Sequence, residues 1–440
     1  MNWKDHIENL KSESVVSAAK AIDYLDGKQL EHTIKDLDHP EHGIKHWKRR
    51  GVIPIVNNIT EKIITRSALT YQKEPDRAVY IGETENEAAS QLYAEMLGYH
   101  GAVAVNRSDM DARLLKTCLI IVQYSAEQKK LLFNVLHRGN CDVDFDLSTQ
   151  EVKSLLYTAG GVGMNGGQLL HFWDTERIVD LELTDNGGIR VVGTEANPYG
   201  MIPVAVRYDV SPPRSGFWPK NRWDELIRAN EIVNRFHTEV AHASHVQMFP
   251  ALFTNASIPD GTVVGADAIV ELEGSIDDIY LEYKAPVINL EPFQNWMISL
   301  QEDLADNWGV NLKLGGEGSA DSGFKLMVEE TWNLELRKQR QKAAKVTERE
   351  LFNVIKVISN RHSLGLPDNA ELYVDFAEPQ LAVDTASERE QDRNDVAAGL
   401  TSREEVWRKN DPDLTEQDIE RRKQEIDGMR LPDFANVTDG

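Results

Sequence analysis

Cysteine is almost absent. Cys118 and Cys141 are the only two in 440 residues, which excludes a disulfide framework and makes reduced, partly buried thiols the expectation. Long apolar runs are absent too: no stretch approaches the ~20 apolar residues that a membrane-crossing helix needs. The opening residues, Met1 to His6, are polar and carry no signal-type apolar segment. Positive charge is in deficit. The formal net charge is -24, so a broad basic surface gripping nucleic acid is not expected, because phosphate binding needs clustered Lys and Arg. Self-repulsion that favours solubility explains the same balance. Catalytic strings are missing: there is no nucleophile elbow, P-loop, kinase set, CxxC or HExxH. No cofactor is implied, and no two carboxylates single themselves out as acid and base.

What is present is ordinary in composition, 41% hydrophobic and 27% charged, in a chain long enough for two or more cores. The stretch from Pro286 to Arg361 organises it. Phe293, Trp296, Met297, Leu300, Leu304 and Trp308 recur in steps of three and four, one side of a helix. A Gly-rich loop follows, Leu312, Lys313, Leu314, Gly315, Gly316, Glu317, Gly318 and Ser319 continuing to Asp321. Its glycines permit many backbone conformations. From Ser322-Gly323 a long run without proline reaches about Ser359, with Asp321 or Ser322 as its cap and Phe324, Met327, Leu334, Leu351, Phe352 and Ile355 as expected core. Inside that run Arg337, Lys338, Arg340, Lys342 and Lys345 form the densest basic segment of an acidic chain. A solvated face, inter-subunit ion pairs and phosphate contact are the readings open to it.

Elsewhere the periods alternate. Helices are expected over Ser12–Tyr24 with Val15, Val16, Ala19 and Ile22 inward, over Gly51–Ala68, over Glu85–Leu97 behind a Thr84–Glu87 capping box, and over Trp223–Met248. Between Thr117 and Val206 short β-branched runs are separated by turn residues: 119–122, 131–135, 169–173, 178–183 and 189–192. They predict antiparallel sheet, with Asn186-Gly187 as a hairpin turn. Gly161 to Gly166 matches GxGxxG literally, but a strand is expected after it, whereas the dinucleotide fingerprint needs a helix. A mobile hairpin tip is the better reading. His32, His39, His42 and His46 lie among Pro40 and Gly43, and His242 and His245 share a helix; neither group has the spacing of a metal site. Residues 251–286 form a β-rich excursion between two long helices. Tyr373–Phe376 returns to strand, and Ser402–Glu405 and Thr415–Asp418 are capping boxes of two short C-terminal helices. The residues alone give a non-enzymatic α+β protein built around long helices.

The order of these parts resembles the portal proteins of tailed bacteriophages. Ala21-Ile22-Asp23-Tyr24-Leu25-Asp26-Gly27 is similar to an early Tyr-x-x-Gly segment of that family, and Asn57-Asn58 to Pro75 to its wing helix. Asn197 to Val206 is similar to its Asn-x-x-Gly-x-Ile-Pro-Val strand, Ser322-Gly323 to its tunnel-loop exit, and Ala398-Gly399-Leu400-Thr401-Ser402 to the turn before its C-terminal helices. The resemblance implies an α+β, portal-like protomer. Residues 1–221 would be a β-rich wing, 222–248 and 287–311 two stem helices, and 249–286 a small α/β clip. Residues 312–323 would be the tunnel loop, 324–384 a long helix and return strand, and 385–440 a short helical crown and tail. It implies a homo-oligomeric ring of about twelve at one capsid vertex, through which double-stranded DNA passes during packaging and ejection. The implied partners are the terminase large subunit, a head-completion or adaptor protein, and the major capsid and scaffolding proteins. The implied location is the virion, with assembly in the host cytoplasm and no membrane. Leu312–Ser319 would line the channel, and Arg337–Lys345 would be a basic channel or inter-subunit patch. An α+β enzyme with a nucleotide-type site at Gly161–Gly166, and a capsid-associated adaptor without a channel, are the competing readings.

Overall fold

The computed structural model describes residues 2–39, 47–48, 52–149, 151–162, 167–184, 188–214, 216–219, 223–248, 251–255, 280–284, 289–310, 323–376, 393–395, 401–410, 419, 421 and 423. The fold is α+β, in two units: residues 1–377 and 378–440.

In the first unit a central strand, β3 (Thr117–Ser125), separates two cores. Leu119, Ile120, Ile121 and Val122 are all fully buried, although a strand alternates its side chains between faces. Ile120 and Val122 face a core shared with the helix α5 (Glu87–Leu115), the strands β1 (Asp76–Ile81) and β13 (Ala370–Asp375), and the long helix α8 (Gly323–Arg361). Leu119 and Ile121 face another, built with β4 (Lys130–His137), β5 (Cys141–Asp146) and β6 (Glu151–Val162). An uninterrupted apolar run is what a strand covered on both sides requires. β3 pairs antiparallel with β4 and with β10 (Val204–Tyr208). β10 is an edge strand, and α8 closes it: the Val206 N–H donates to Glu350 at 3.0 Å, and Thr347 donates to the Val206 carbonyl at 2.8 Å.

The expected antiparallel region is a five-stranded meander, β5-β6-β7-β8-β9, with β7 (Gln168–Asp174), β8 (Arg177–Leu183) and β9 (Ile189–Ala196). Leu183 pairs with Ile189 across the expected Asn186-Gly187 turn. Strands β1, β5 and β6, and the two-residue β2 (Thr84–Glu85), go beyond the predicted set. β5 reads Cys-Asp-Val-Asp-Phe-Asp, and its Asp142 is tolerated because α1 (Trp3–Leu10) lies over it. Asp142 accepts from Asn9 and from Arg138 and sits 2.7 Å from Nδ1 of the buried His6, whose other nitrogen is 2.8 Å from Ser154 Oγ. Burial would raise the Asp142 carboxyl; these hydrogen bonds hold it below its ordinary pKa instead.

Several expected helices shift. Over Gly51–Ala68 only Ile59–Ser67 is helical, as α4, with Asn58 capping it. The preceding segment, 52–58, is neither helix nor strand, and another helix satisfies its backbone. Asn230, Asn234 and Thr238 lie four residues apart on α6 (Asp224–Met248), all buried. Thr238 Oγ accepts from the Ile55 N–H, Asn234 from that of Asn57, and Asn230 from that of Thr60 while donating to the Asn57 carbonyl. A polar seam takes the role of helical hydrogen bonds. In α2 (Glu13–Leu25) the inward residues are Val15, Ala18, Ala21, Ile22 and Tyr24, while Val16 is 63% exposed. α5 starts at Glu87, two residues after the predicted start at Glu85, capped by Asn86 and not by Thr84, and bends at Gly98, whose φ of 51° and ψ of -169° suit only glycine. α3 (Gln29–Leu37) completes the N-terminal helices. In the second unit Arg403–Asn410 forms α9, and its capping box is the predicted one: Glu405 N–H donates to Ser402 Oγ and Ser402 N–H donates to the Glu405 carboxylate. Thr415–Asp418 lies outside the described residues.

Asp111, on α5, is 2% exposed, and one of its carboxylate oxygens has no hydrogen-bond partner. Burial pushes its pKa up to about 7, with Asp26 adding to the rise and Arg107 opposing it. The folded carboxyl keeps its proton up to that pH, whereas an unfolded one releases it near pH 4 (~3.9). Between those values the folded state binds more protons, so stability falls as pH rises from about 4 to about 7. Three pKa units correspond to about 4 kcal/mol. Denaturant unfolding at pH 5 and pH 8 spans about two of those units and should show a loss of about 2.7 kcal/mol in the parent and little of it in Asp111→Asn; parallel pH profiles for the two would exclude the assignment.

Candidate functional site at the helix pair and loop root

Two helices bracket the β excursion. α6 is followed by β11 (Ala251–Thr254), which pairs antiparallel with β12 (Leu281–Lys284), and α7 (Glu291–Asn307) leads back. The start of α6 and the end of α7 share one core, in which Trp223, Leu226, Ile227 and Val233 meet Leu304, Ala305 and Trp308. Further along, Phe236 of α6 packs on Phe293 and Trp296 from the start of α7, ring centroids 6.0 and 5.1 Å apart. The helices are therefore antiparallel. One end is rooted in the protein and the other carries the β11–β12 pair. Of the predicted apolar side of α7, Met297, Leu304 and Trp308 are buried, while Phe293 and Trp296 are 45% and 47% exposed. Ile232 of α6, at 45%, adds to the uncovered apolar surface of the pair.

The rooted end leads into the Gly-rich loop. Trp308 caps α7, Gly309 adopts a left-handed φ of 70°, the Gly309 N–H donates to the Asp306 carbonyl, and the Val310 N–H donates to that of Ala305. This is the Schellman pattern, which stops a helix sharply. Leu312, Lys313, Leu314, Gly315, Gly316, Glu317, Gly318 and Ser319 lie outside the described residues, and so do residues 256–279 of the excursion.

A single buried carboxylate holds this root. Asp209 follows β10 and faces three cations. Arg113 and Lys116, from the end of α5, donate to it at 3.2 and 2.8 Å, and Arg340 of α8 lies 3.1 Å away. Arg113 also donates to Ser67 Oγ and to the Trp308 carbonyl, the last residue of the α7 cap. Arg340 donates to the Ser67 carbonyl at 2.8 Å. The guanidinium of Arg113 and the ammonium of Lys116 stand 4.9 and 4.7 Å from the Trp308 ring. Burial pulls Arg113 down to about 10 and Lys116 down to about 8, Asp209 opposing both shifts. Burial would raise Asp209; its three cations outweigh that and keep it ionised below the usual carboxylate range.

The helix period divides the predicted basic segment. Arg337 and Arg340 turn inward and are buried, whereas Lys338 and Lys342 are exposed. Lys345 is half-buried, 3.2 Å from Asp375. Sequence reasoning missed Arg113, Lys116 and Asp209. Their signal was modest: two cations in the last turn of a helix, where they suit its dipole, and an acid just past a strand. At Gly161–Gly166, β6 ends at Val162, which pairs with Gln168 of β7. Strand follows strand, so the helix that would receive a pyrophosphate does not follow. Among the described residues no three His, Cys, Asp or Glu side chains gather as metal ligands, and no helix is long and apolar enough to cross a membrane. Cys118 and Cys141 are free and fully buried, and burial pushes both thiols up.

Replacing Asp209 by Asn should destabilise the protein by about 3–5 kcal/mol, since it leaves two buried guanidinium groups and one partly buried ammonium without their anion. Thermal or urea unfolding reads this directly; a loss under about 1 kcal/mol would mean that solvent satisfies them.

No family model matches the chain, and no curated protein does. Solved structures do. A chain in the neck of an empty gene transfer agent (GTA) particle, computed with C6 symmetry, is similar at 12% identity over 82% of this chain and 91% of that one, with a TM-score of 0.47. A chain of the native GTA virion is similar at 12% identity, 84% and 94% coverage and a TM-score of 0.41. A chain in the neck of the native GTA particle, computed with C12 symmetry, gives 14%, 82%, 91% and 0.40.

Proposed function

We propose that this chain is a portal-type subunit: a ring-forming protein of a phage-like capsid vertex whose central channel passes double-stranded DNA during packaging and ejection. The observation that carries the reading is the antiparallel α6–α7 pair, rooted at one end in the core and bearing a β pair at the other. In this reading α6 and α7 are the stem. Residues 249–286 form the clip that meets the terminase large subunit and later a head-completion protein, and residues 312–321 line the channel. The resemblance in the order of sequence motifs supports it, from the Tyr-x-x-Gly segment to the Ala-Gly-Leu-x-Ser turn. So does the uncovered apolar surface at Ile232, Phe293 and Trp296, which a neighbouring copy would cover. The acidic balance suits a channel that must not hold phosphate tightly.

Native mass spectrometry or negative-stain images of the purified chain should give a closed ring of about twelve copies. A clean monomer at micromolar concentration would sink the reading.

The loop supplies a separate test. Lys313 gives each copy one cation for weak, salt-screened phosphate contact, and Glu317 and Asp321 keep the collar from binding tightly. Changing Gly315, Gly316 and Gly318 together to Ala narrows the backbone choices of the loop. Rings should assemble as in the parent, with packaging or retention of DNA impaired. A triple variant that packages and holds a full genome would remove loop mobility from the mechanism.

A further inference from the structure

We infer that the cleft beside the loop root is an oxyanion pocket which, in the assembled ring, receives a carboxylate side chain from a second copy of this chain. The inference rests on the ring reading above and adds a residue-level contact to it. The cleft has a volume of about 210 Å³, and Ser67, Thr70, Gly309, Leu336, Arg337 and Arg340 are among its walls. Arg337 is only 8% exposed, and its Nε has no hydrogen-bond partner. Among the described residues it makes no ion pair either. Thr70 Oγ, on the same cleft, is also buried without a partner.

Buried charges in proteins are paired, because a guanidinium stripped of water needs acceptors for its five N–H donors. Arg340, one turn further along α8, follows that rule through Asp209 and the Ser67 carbonyl. Arg337 does not. Asp109 is the acid whose field reaches it, but that carboxylate is already engaged: one oxygen accepts from Arg207 at 2.5 Å and the other from the Thr70 N–H at 3.3 Å. Among the described residues, the protomer thus offers no acceptor to the Arg337 Nε or to the Thr70 hydroxyl, both from residues that line the cleft.

Charge and shape favour a protein carboxylate over a nucleic-acid phosphate. Each copy has 72 acidic and 48 basic residues, an excess of 24 acids, so every neighbouring copy brings carboxylates. A carboxylate rides on a slim side chain that can enter a recess. The phosphates of a duplex are fixed along a continuous rail and do not project into a cleft where the arginine residue is only 8% exposed. The planar fork of arginine also suits two-point pairing with a carboxylate.

The test compares the parent with Arg337→Gln and Arg337→Lys, all as full chains, by sedimentation over a protein dilution series at fixed salt. The ring should persist to low concentration in the parent. In Arg337→Gln the concentration needed for half-assembly should rise at least tenfold, and in Arg337→Lys it should rise less. The melting temperature of the dissociated Arg337→Gln chain should equal or exceed that of the dissociated parent, since an unpaired buried charge has gone. If Arg337→Gln loses its native circular dichroism, the half-assembly shift of Arg337→Lys decides. Unchanged half-assembly in a folded variant overturns the inference and leaves the ring intact. Unchanged assembly with tenfold weaker binding of a 30-base-pair duplex overturns it too, and assigns the cleft to phosphate. A parent chain that never assembles removes the ring reading itself, and this contact with it.

Discussion

The carboxylate of Asp209 is the point on which the first unit depends. Four pieces of backbone that are distant in sequence end on it or on its partners: the end of α5, the turn at Ser67, the cap of α7 and the middle of α8. Two buried guanidinium groups and a partly buried ammonium around one anion would repel one another in isolation. What holds them is the low-dielectric surroundings, where each attraction to Asp209 is stronger than it would be in water, together with hydrogen bonds to the Ser67 and Trp308 carbonyls. Such a cluster adds less to net stability than a well-packed apolar core would. Its effect is on geometry. It determines where α7 stops, and the Schellman turn at Gly309 then sets the direction in which the chain leaves toward residues 311–322.

Packing distributes the remaining constraints by strand and helix period. β3 serves two cores at once through alternate side chains. α8 lies across three elements and binds each by a different polar contact: Thr347 and Glu350 to the edge of β10, Glu348 in a two-point pair with Arg77 of β1, and Lys356 to the carbonyl of Ala370 at the start of β13. β1 and β13 are themselves paired in register from Asp76–Asp375 to Ile81–Ala370. A strand from early in the unit and one from its end are thus closed over the same helix.

Long amphipathic helices were legible because their apolar spacing is a local property. α6, α7 and α8 lie within a few residues of where the pattern puts them. The hairpin strands with strong β-branched runs were legible for the same reason. β5 was not, because its alternate aspartates look solvated until His6, from the first helix, is seen over Asp142. The non-helical segment before α4 was misread as helix because its isoleucines recur at helical steps, while the groups that satisfy its backbone, Asn230, Asn234 and Thr238, belong to a helix much later in the chain. The basic segment was read as one patch, although the same 3.6-residue period that identified its helix places 337 and 340 on the side of Ala344, Thr347 and Leu351. The loop and most of the β excursion fall outside the described residues, so their sequence reading stands as part of the proposed function alone.

The polar seam and the Trp223–Trp308 root also give α6 a mechanical character. Its last fully buried seam residue is Thr238, and Met248, at the far end, is 69% exposed. Twenty-five residues of helix span about 37 Å at 1.5 Å per residue. The ten residues beyond Thr238 span about 15 Å at that rise, so a sideways load applied where the β11–β12 pair begins reaches the seam as a torque with that shorter moment arm. Apolar packing along the first half of the helix resists compression well but resists sliding weakly. The directional hydrogen bonds of Asn230, Asn234 and Thr238 resist sliding, because a shift of one residue along the axis would break all three at once.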